Sequence, residues 1–177
     1  MMKHKEYIIP FSGLKEGKHK FKYTIENKFF ESFSYDEFNG AKIDLLLQLN
    51  KQSTMLELEM TATGSVHVDC DLTGEPFDQP VEASLGLVVK FGDKFNNEDD
   101  EILIIPHGEH QIDIAQYIYE MLVLAVPTKR VHPGVSDGSL KSDVLKRLEE
   151  LQPRESIDNK DKTDPRWDAL KNLLTDK

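Results

Sequence analysis

The most regular stretch of this chain is an alternation of apolar and polar residues over positions 43–62. Ile43, Leu45, Leu47 and Leu49 fall on one side of an extended chain, with Asp44, Leu46, Gln48 and Asn50 between them. After a polar turn at 51–53, Leu56, Leu58, Met60 and Ala62 alternate with Glu57, Glu59 and Thr61. A period of two on both sides of a short turn predicts a β-hairpin with one buried face. Gly64 then breaks the pattern, and Val66, Val68 and Cys70 alternate with His67, Asp69 and Asp71. Upstream, Phe21, Tyr23 and Ile25 share one face of a further strand, and 7–9 makes a short strand stopped by Pro10. Downstream, strands are predicted at 81–91 and 102–105, separated by a solvated acidic loop over 92–101.

Helical spacing appears in four places. Phe29, Phe30 and Phe33 fit one or two turns buried by their rings. Ile114, Ile118, Met121, Leu122 and Ala125 recur at intervals of three and four, the signature of a helix with one apolar stripe. Asp113 is placed to cap that helix, with Gln116 three residues on as in a capping box, and Pro127 ends it. Leu140, Val144, Leu145, Leu148 and Leu151 predict an amphipathic helix. Residues 152–163 read as a polar linker. Asp164-Pro165-Arg166-Trp167 reads as a last helix start, with Trp167, Leu170, Leu173 and Leu174 on one side. Successive strands with short turns, closed by one helix, predict an α+β fold. It comprises a curved, mostly antiparallel sheet or partial barrel, one main packing helix and a helical C-terminal tail. The expected division is a core domain over 1–133 and a charged helical tail with a linker over 134–177.

Charge narrows the possible partners. The formal net charge is -10, whereas binding to phosphates rests on dense Lys and Arg, so a general nucleic-acid binder is excluded. Any RNA contact has to use a local basic patch, and basic ribosomal proteins suit the acidic remainder. Residues 1–28 hold seven lysines against three glutamates. Lys18, Lys20 and Lys22 alternate along one strand and so share the face opposite Phe21 and Tyr23. They are either an RNA-facing stripe or the wet side of an edge strand guarded by lysine. Lys129, Arg130 and His132 follow Pro127; they are either a second RNA contact or cations that complement a helix C-terminus. Trp167 and its leucines either pack back on the domain or dock on a partner.

Reactive chemistry is sparse. His67, Asp69 and Asp71 fall on one face of a strand and Cys70 on the other, so one metal site cannot collect both sets. A buried, structural Cys70 is expected, with its pKa raised by the neighbouring aspartates. His107, Glu109 and His110 sit in a Pro/Gly turn without a third cluster to complete a metal site. The ten glycines form no phosphate-cradling loop, and there is no nucleophile elbow. No enzyme activity, cofactor, metal or small-molecule substrate is expected. The single cysteine rules out an internal disulfide. With no run of 18 apolar residues and an N-terminal apolar stretch too short for a signal peptide, the expected setting is cytoplasmic and away from membranes.

Three segments, in order, resemble the YceD family of large-ribosomal-subunit RNA accumulation factors. Val66-His67-Val68-Asp69-Cys70-Asp71-Leu72-Thr73-Gly74-Glu75-Pro76-Phe77 is similar to the family's Cys-x-x-Cys region before a strand opened by proline, here at Pro80. Asp113-Ile114, then Tyr119 through Pro127, then His132-Pro133, resembles its core helix and exit. Asp164-Pro165-Arg166-Trp167-Asp168-Ala169-Leu170-Lys171-Asn172-Leu173 resembles its ending. The match runs over roughly 40–174. It departs at Thr73, where the family commonly has its second Cys, which removes the basis for zinc binding there. The resemblance implies a role in accumulation or processing of large-subunit rRNA and implies no known catalytic activity; with the sparse reactive chemistry, the expected function is a non-catalytic accessory factor in large-subunit biogenesis. On the residue pattern of this chain, the expected partners are ribosomal or assembly proteins, and large-subunit rRNA touched through the Lys18, Lys20, Lys22 stripe or the Lys129, Arg130 pair. The rival readings are a metal-dependent hydrolase using His107, Glu109 and His110, and a generic protein-interaction module docking through its tail.

Overall fold

A computed structural model describes residues 5–99 and 101–151. The chain falls into two units, Met1–Leu140 and Lys141–Lys177.

The first unit is α+β. A single 3-10 turn at Lys5–Tyr7 leads into β1 (Ile8–Ile9), followed by β2 (Gly17–Glu26) and α1 (Asn27–Ser32). Three long strands follow, β3 (Gly40–Lys51), β4 (Met55–Asp69) and β5 (Pro76–Gly92), then β6 (Ile102–Pro106), β7 (Ile112–Asp113) and α2 (Ala115–Ala125). A last short turn, α3, covers Pro133–Ser136. β2 to β6 form one five-stranded sheet in sequential order, and β1 pairs with β7 in a small antiparallel sheet. β2 and β6 are its two ends and do not pair, so the sheet is open rather than a barrel.

Alternation sets the layers. The inward positions Ile25, Ile43, Leu45, Leu47, Leu49, Leu56, Leu58, Met60, Val66, Val68, Leu87 and Val89 are all buried, whereas their neighbours face water. Tyr7, Ile9 and Phe11 from the N-terminal segment, Phe29 and Phe30 from α1, and Ile118 and Leu122 from α2 join them in one core. Edge-to-face ring pairs such as Phe29–Phe30 and Phe30–Phe38 fill the end of the sheet near α1. α2 packs over β5.

Four local expectations are corrected. Gly64 does not end a strand: β4 runs through it to Asp69, pairing Gly64 with Ile43. A Cβ at this position would lie 2.6 Å from Ile43 Cα, so glycine is there for close approach of two backbones, not for a break. β5 starts at Pro76, five residues before the expected 81, and contains Pro80. β6 flanks β5 only at 88–92, which leaves the proline positions on an open side where a missing N–H is tolerated. β6 is parallel to β5, which makes the sheet mixed. Its overlap is only five residues, so the 93–101 loop has little distance to return. An antiparallel bridge between Asn96 and Ile104 and two turns held by the Asn96 and Asp99 side chains shape that loop. Finally, α2 is capped differently. Ile114 takes the N-cap position, Asp113 accepts from Ala115 N at 2.9 Å, and Gln116 reaches forward to Glu120 at 2.6 Å instead of back.

In the second unit, α4 spans Asp143–Leu151, with the Ser142 hydroxyl accepting from Val144 N at 3.3 Å. Val144, Leu148 and Leu151 are exposed. The expected linker and the helix at Trp167 lie outside the described residues.

Candidate nucleic-acid interface

The lysine stripe lies where the alternation requires. Ile25 of β2 is buried and Phe21 and Tyr23 are half-buried, which turns Lys18, Lys20 and Lys22 to the opposite, solvent-facing side of the sheet. β2 is an end strand, so among the described residues there is no further strand of this sheet beyond the stripe. None of the three lysines forms an ion pair among the described residues.

Cross-strand register sets what stands beside them. Lys18 is opposite Asn50, Lys20 opposite Gln48 and Lys22 opposite Leu46 on β3. One strand further, on β4, the same rows continue as Glu57, Glu59 and Thr61. The Asn50 amide donates to Glu57 at 2.8 Å, which draws that carboxylate toward β3. Lys18, Gln48, Asn50, Glu57 and Glu59 line a shallow depression of about 100 Å³. Toward the far end of β2, Thr24 donates to Asp44 at 3.3 Å and Glu26 follows, so acid closes the stripe there. The outward positions of β2 to β5 carry no Phe, Tyr or Trp. The strand reading found the lysines. Their amide and acidic neighbours escaped it because register between β2 and β3 is set by a 13-residue connection that alternation does not describe.

The second basic group has a different character. Arg130 N donates to the Asp71 carboxylate at 2.6 Å, and Asp71 N donates back to the Arg130 carbonyl at 2.8 Å. The guanidinium reaches Glu37 at 3.4 Å and Asp71 at 4.0 Å. Tyr35, whose hydroxyl donates to Glu37 at 3.3 Å, completes this cluster. Burial, then the Glu37 charge and the hydrogen bond to it, push the Tyr35 phenol up to about 12. His132 caps α3 by accepting from Gly134 N at 2.9 Å, and its ring meets Phe77 edge-on. Arg130 and His132 thus tie the chain after α2 to the turn after β4, while Lys129 is exposed. The group follows α2, which ends at Ala125.

That turn holds Cys70. The thiol is buried, on the side of Val66 and Val68, and accepts from His132 N at 3.3 Å. The turn closes with Gly74 N on the Cys70 carbonyl at 2.8 Å, and Gly74 takes a left-handed φ of 71°. The expected upward pKa shift is corrected. Burial does push the thiol up, but hydrogen bonds from His132 N, the Thr73 hydroxyl and the Leu72 and Thr73 amides outweigh it, and the net shift is downward. The aspartates are turned elsewhere: Asp69 accepts from Asn39 and Asp71 serves Arg130. On the outer face His67 contacts Asp78 at 2.9 Å. His107, Glu109 and His110 are exposed in the turn after β6, with Glu109 N donating to the Pro106 carbonyl at 3.0 Å. Among the described residues, no three His, Cys, Asp or Glu are grouped so as to hold a metal ion. Trp167 lies outside the described residues.

A family described as "Large ribosomal RNA subunit accumulation protein YceD" matches residues 58–174. The chain belongs to the YceD family. No curated protein and no solved structure matches it. Within this YceD chain the matched span opens inside β4, so it takes in the Cys70 turn, α2, Asp71 and Arg130, but not Tyr35 or Glu37 of the Arg130 cluster and not β2 or β3. The family's description ties the chain to accumulation of large-subunit ribosomal RNA. The lysine stripe stands outside the matched span and is argued from this chain's own geometry. Among the described residues no helix is long and apolar enough to cross a membrane.

Proposed function

We propose that this YceD protein is a non-catalytic accessory factor of large-subunit biogenesis that works in the cytoplasm and touches rRNA through Lys18, Lys20 and Lys22. The observation that carries the RNA contact is the stripe itself: three lysines in line on an end strand, facing water, without ion pairs among the described residues. Lysines whose charge is not neutralised internally are available to phosphates, and release of counterions from the RNA supplies the free energy. Exposed Lys129 adds a weaker contact. Arg130 contributes less, because its guanidinium is engaged by Glu37 and Asp71. The acidic remainder suits basic ribosomal or assembly proteins, which it attracts over about a Debye length.

The test is binding of large-subunit precursor rRNA as a function of salt. Three phosphate contacts to a single strand give a log–log slope of about -2. Replacing Lys18, Lys20 and Lys22 together with Ala should flatten that slope toward zero and lower large-subunit rRNA levels when the variant replaces the parent in cells. An unchanged slope in the triple variant removes the stripe from the mechanism. Normal rRNA levels after depletion of the protein remove the biogenesis role.

A further inference from the structure

The stripe is narrow, and its flanks decide what can lie on it. Side chains two apart on one strand face are separated by about 6.8 Å, and adjacent strands by about 4.8 Å. Lys18, Lys20 and Lys22 therefore form a straight line of three cationic side chains. Asn50 and Gln48 stand one strand in; Glu57 and Glu59 stand two strands in, about 10 Å from the line. A polyanion can occupy the sheet edge and β3, but a second phosphate row reaching over β4 meets carboxylates. The amides of Asn50 and Gln48 both donate and accept, which suits ribose hydroxyls, although one Asn50 donor is already taken by Glu57 at 2.8 Å. With no aromatic ring on this face, there is no platform on which bases stack, and stacking and base-edge recognition are what give single-strand binders their preferences.

Shape points the same way. In a duplex each backbone winds around the helix axis, so successive phosphates leave a straight line. A single strand is flexible enough to follow three lysines along a β-strand. We infer that the β2–β3 face takes single-stranded RNA in preference to duplex and reads its backbone rather than its sequence. This rests on the RNA contact proposed above and names the form of RNA that makes it.

The experiment is fluorescence anisotropy at low salt with the full chain. The probes are a labelled oligoribonucleotide without self-complementarity, the same strand annealed to its complement, and two further single strands of unrelated sequence. Single strands should bind several-fold more tightly than duplex, with little difference among sequences. Glu57→Gln with Glu59→Gln should raise duplex affinity and leave single-strand affinity nearly unchanged. Glu59 is exposed and Glu57 half-buried, and a Gln carbonyl at 57 can still accept from Asn50, so folding is expected to be kept, and a thermal melt verifies it. Equal affinity for the two forms, or a strong preference among the single strands, overturns this inference while leaving the RNA contact standing. Absence of binding to every probe overturns the RNA contact as well.

Discussion

At Gly64 the linear pattern and the folded sheet give one residue two different meanings. In a one-dimensional pattern a glycine among alternating residues looks like a break; in the sheet it faces Ile43 across a pair of backbones too close for a Cβ. Gly64→Ala must push β3 and β4 apart, and since the obstructing atoms are backbone, no side-chain rotation relieves it. Overpacking of this sort costs about 1–3 kcal/mol, which a denaturant melt would register as a lower midpoint. By contrast Gly86, with open space around it, should accept Ala with little change. Arg130→Ala should cost about 1 kcal/mol, mostly through lost packing and through the exposed acids left behind, whereas Lys129→Ala should cost nearly nothing. Tyr35 supplies a pH signature. Its phenol is raised from 10.0 to about 12 in the folded protein, so the stabilisation is complete below pH 10 and is lost as pH rises from 10 to 12. Tyr35→Phe should flatten the fall in unfolding free energy over that window. If parent and variant lose stability in parallel there, burial and the Glu37 carboxylate do not hold the Tyr35 phenol protonated in the folded protein.

At the scale of elements, alternation was strong evidence and register was not. The hairpin of β3 and β4, the strand β2 and the stripe of α2 could all be read because period two and period 3.6 are properties of one segment at a time. The parallel return of β6, the start of β5 at Pro76 and the neighbours of the lysine stripe depend on which segment lies beside which. No single segment encodes that. The candidate site divides in the same way: Lys18, Lys20 and Lys22 were legible as one face, but the acids Glu57 and Glu59 that bound the face, and the engagement of Arg130 by Glu37 and Asp71, needed three dimensions. The contrast between the two faces of β3 can be measured directly. Leu47 is fully buried and Leu46 lies on the outer side. Leu47→Ala should therefore cost about 2–5 kcal/mol, the range for emptying a packed site. Leu46→Ala should cost well under half of that. Comparable losses at both positions would mean that the outer face is covered in solution, which would also remove it as an RNA surface.

Over the whole molecule, the surplus of acid and the small lysine stripe respond to salt with opposite signs. A net charge of -10 repels itself, and the repulsion is greater in the compact folded state than in the expanded chain. Added salt screens it, since charges farther apart than about 10 Å cease to interact at about 0.1 M. Folding stability should therefore rise as salt increases. Binding to RNA runs the other way, because dissolved ions compete for the phosphates that the three lysines neutralise. With a slope of about -2, raising salt from about 50 to about 200 mM lowers affinity roughly twentyfold. One titration followed by both thermal melting and anisotropy tests the pair. A melting midpoint that climbs while RNA affinity falls identifies the loss of binding as a property of the interface, since the protein is then more folded, not less. A midpoint that falls in step with affinity would instead attribute the loss to unfolding. Replacing the three lysines with Ala should separate the two responses: it makes the chain still more acidic and so steepens the gain in stability with salt, while the salt dependence of RNA binding disappears.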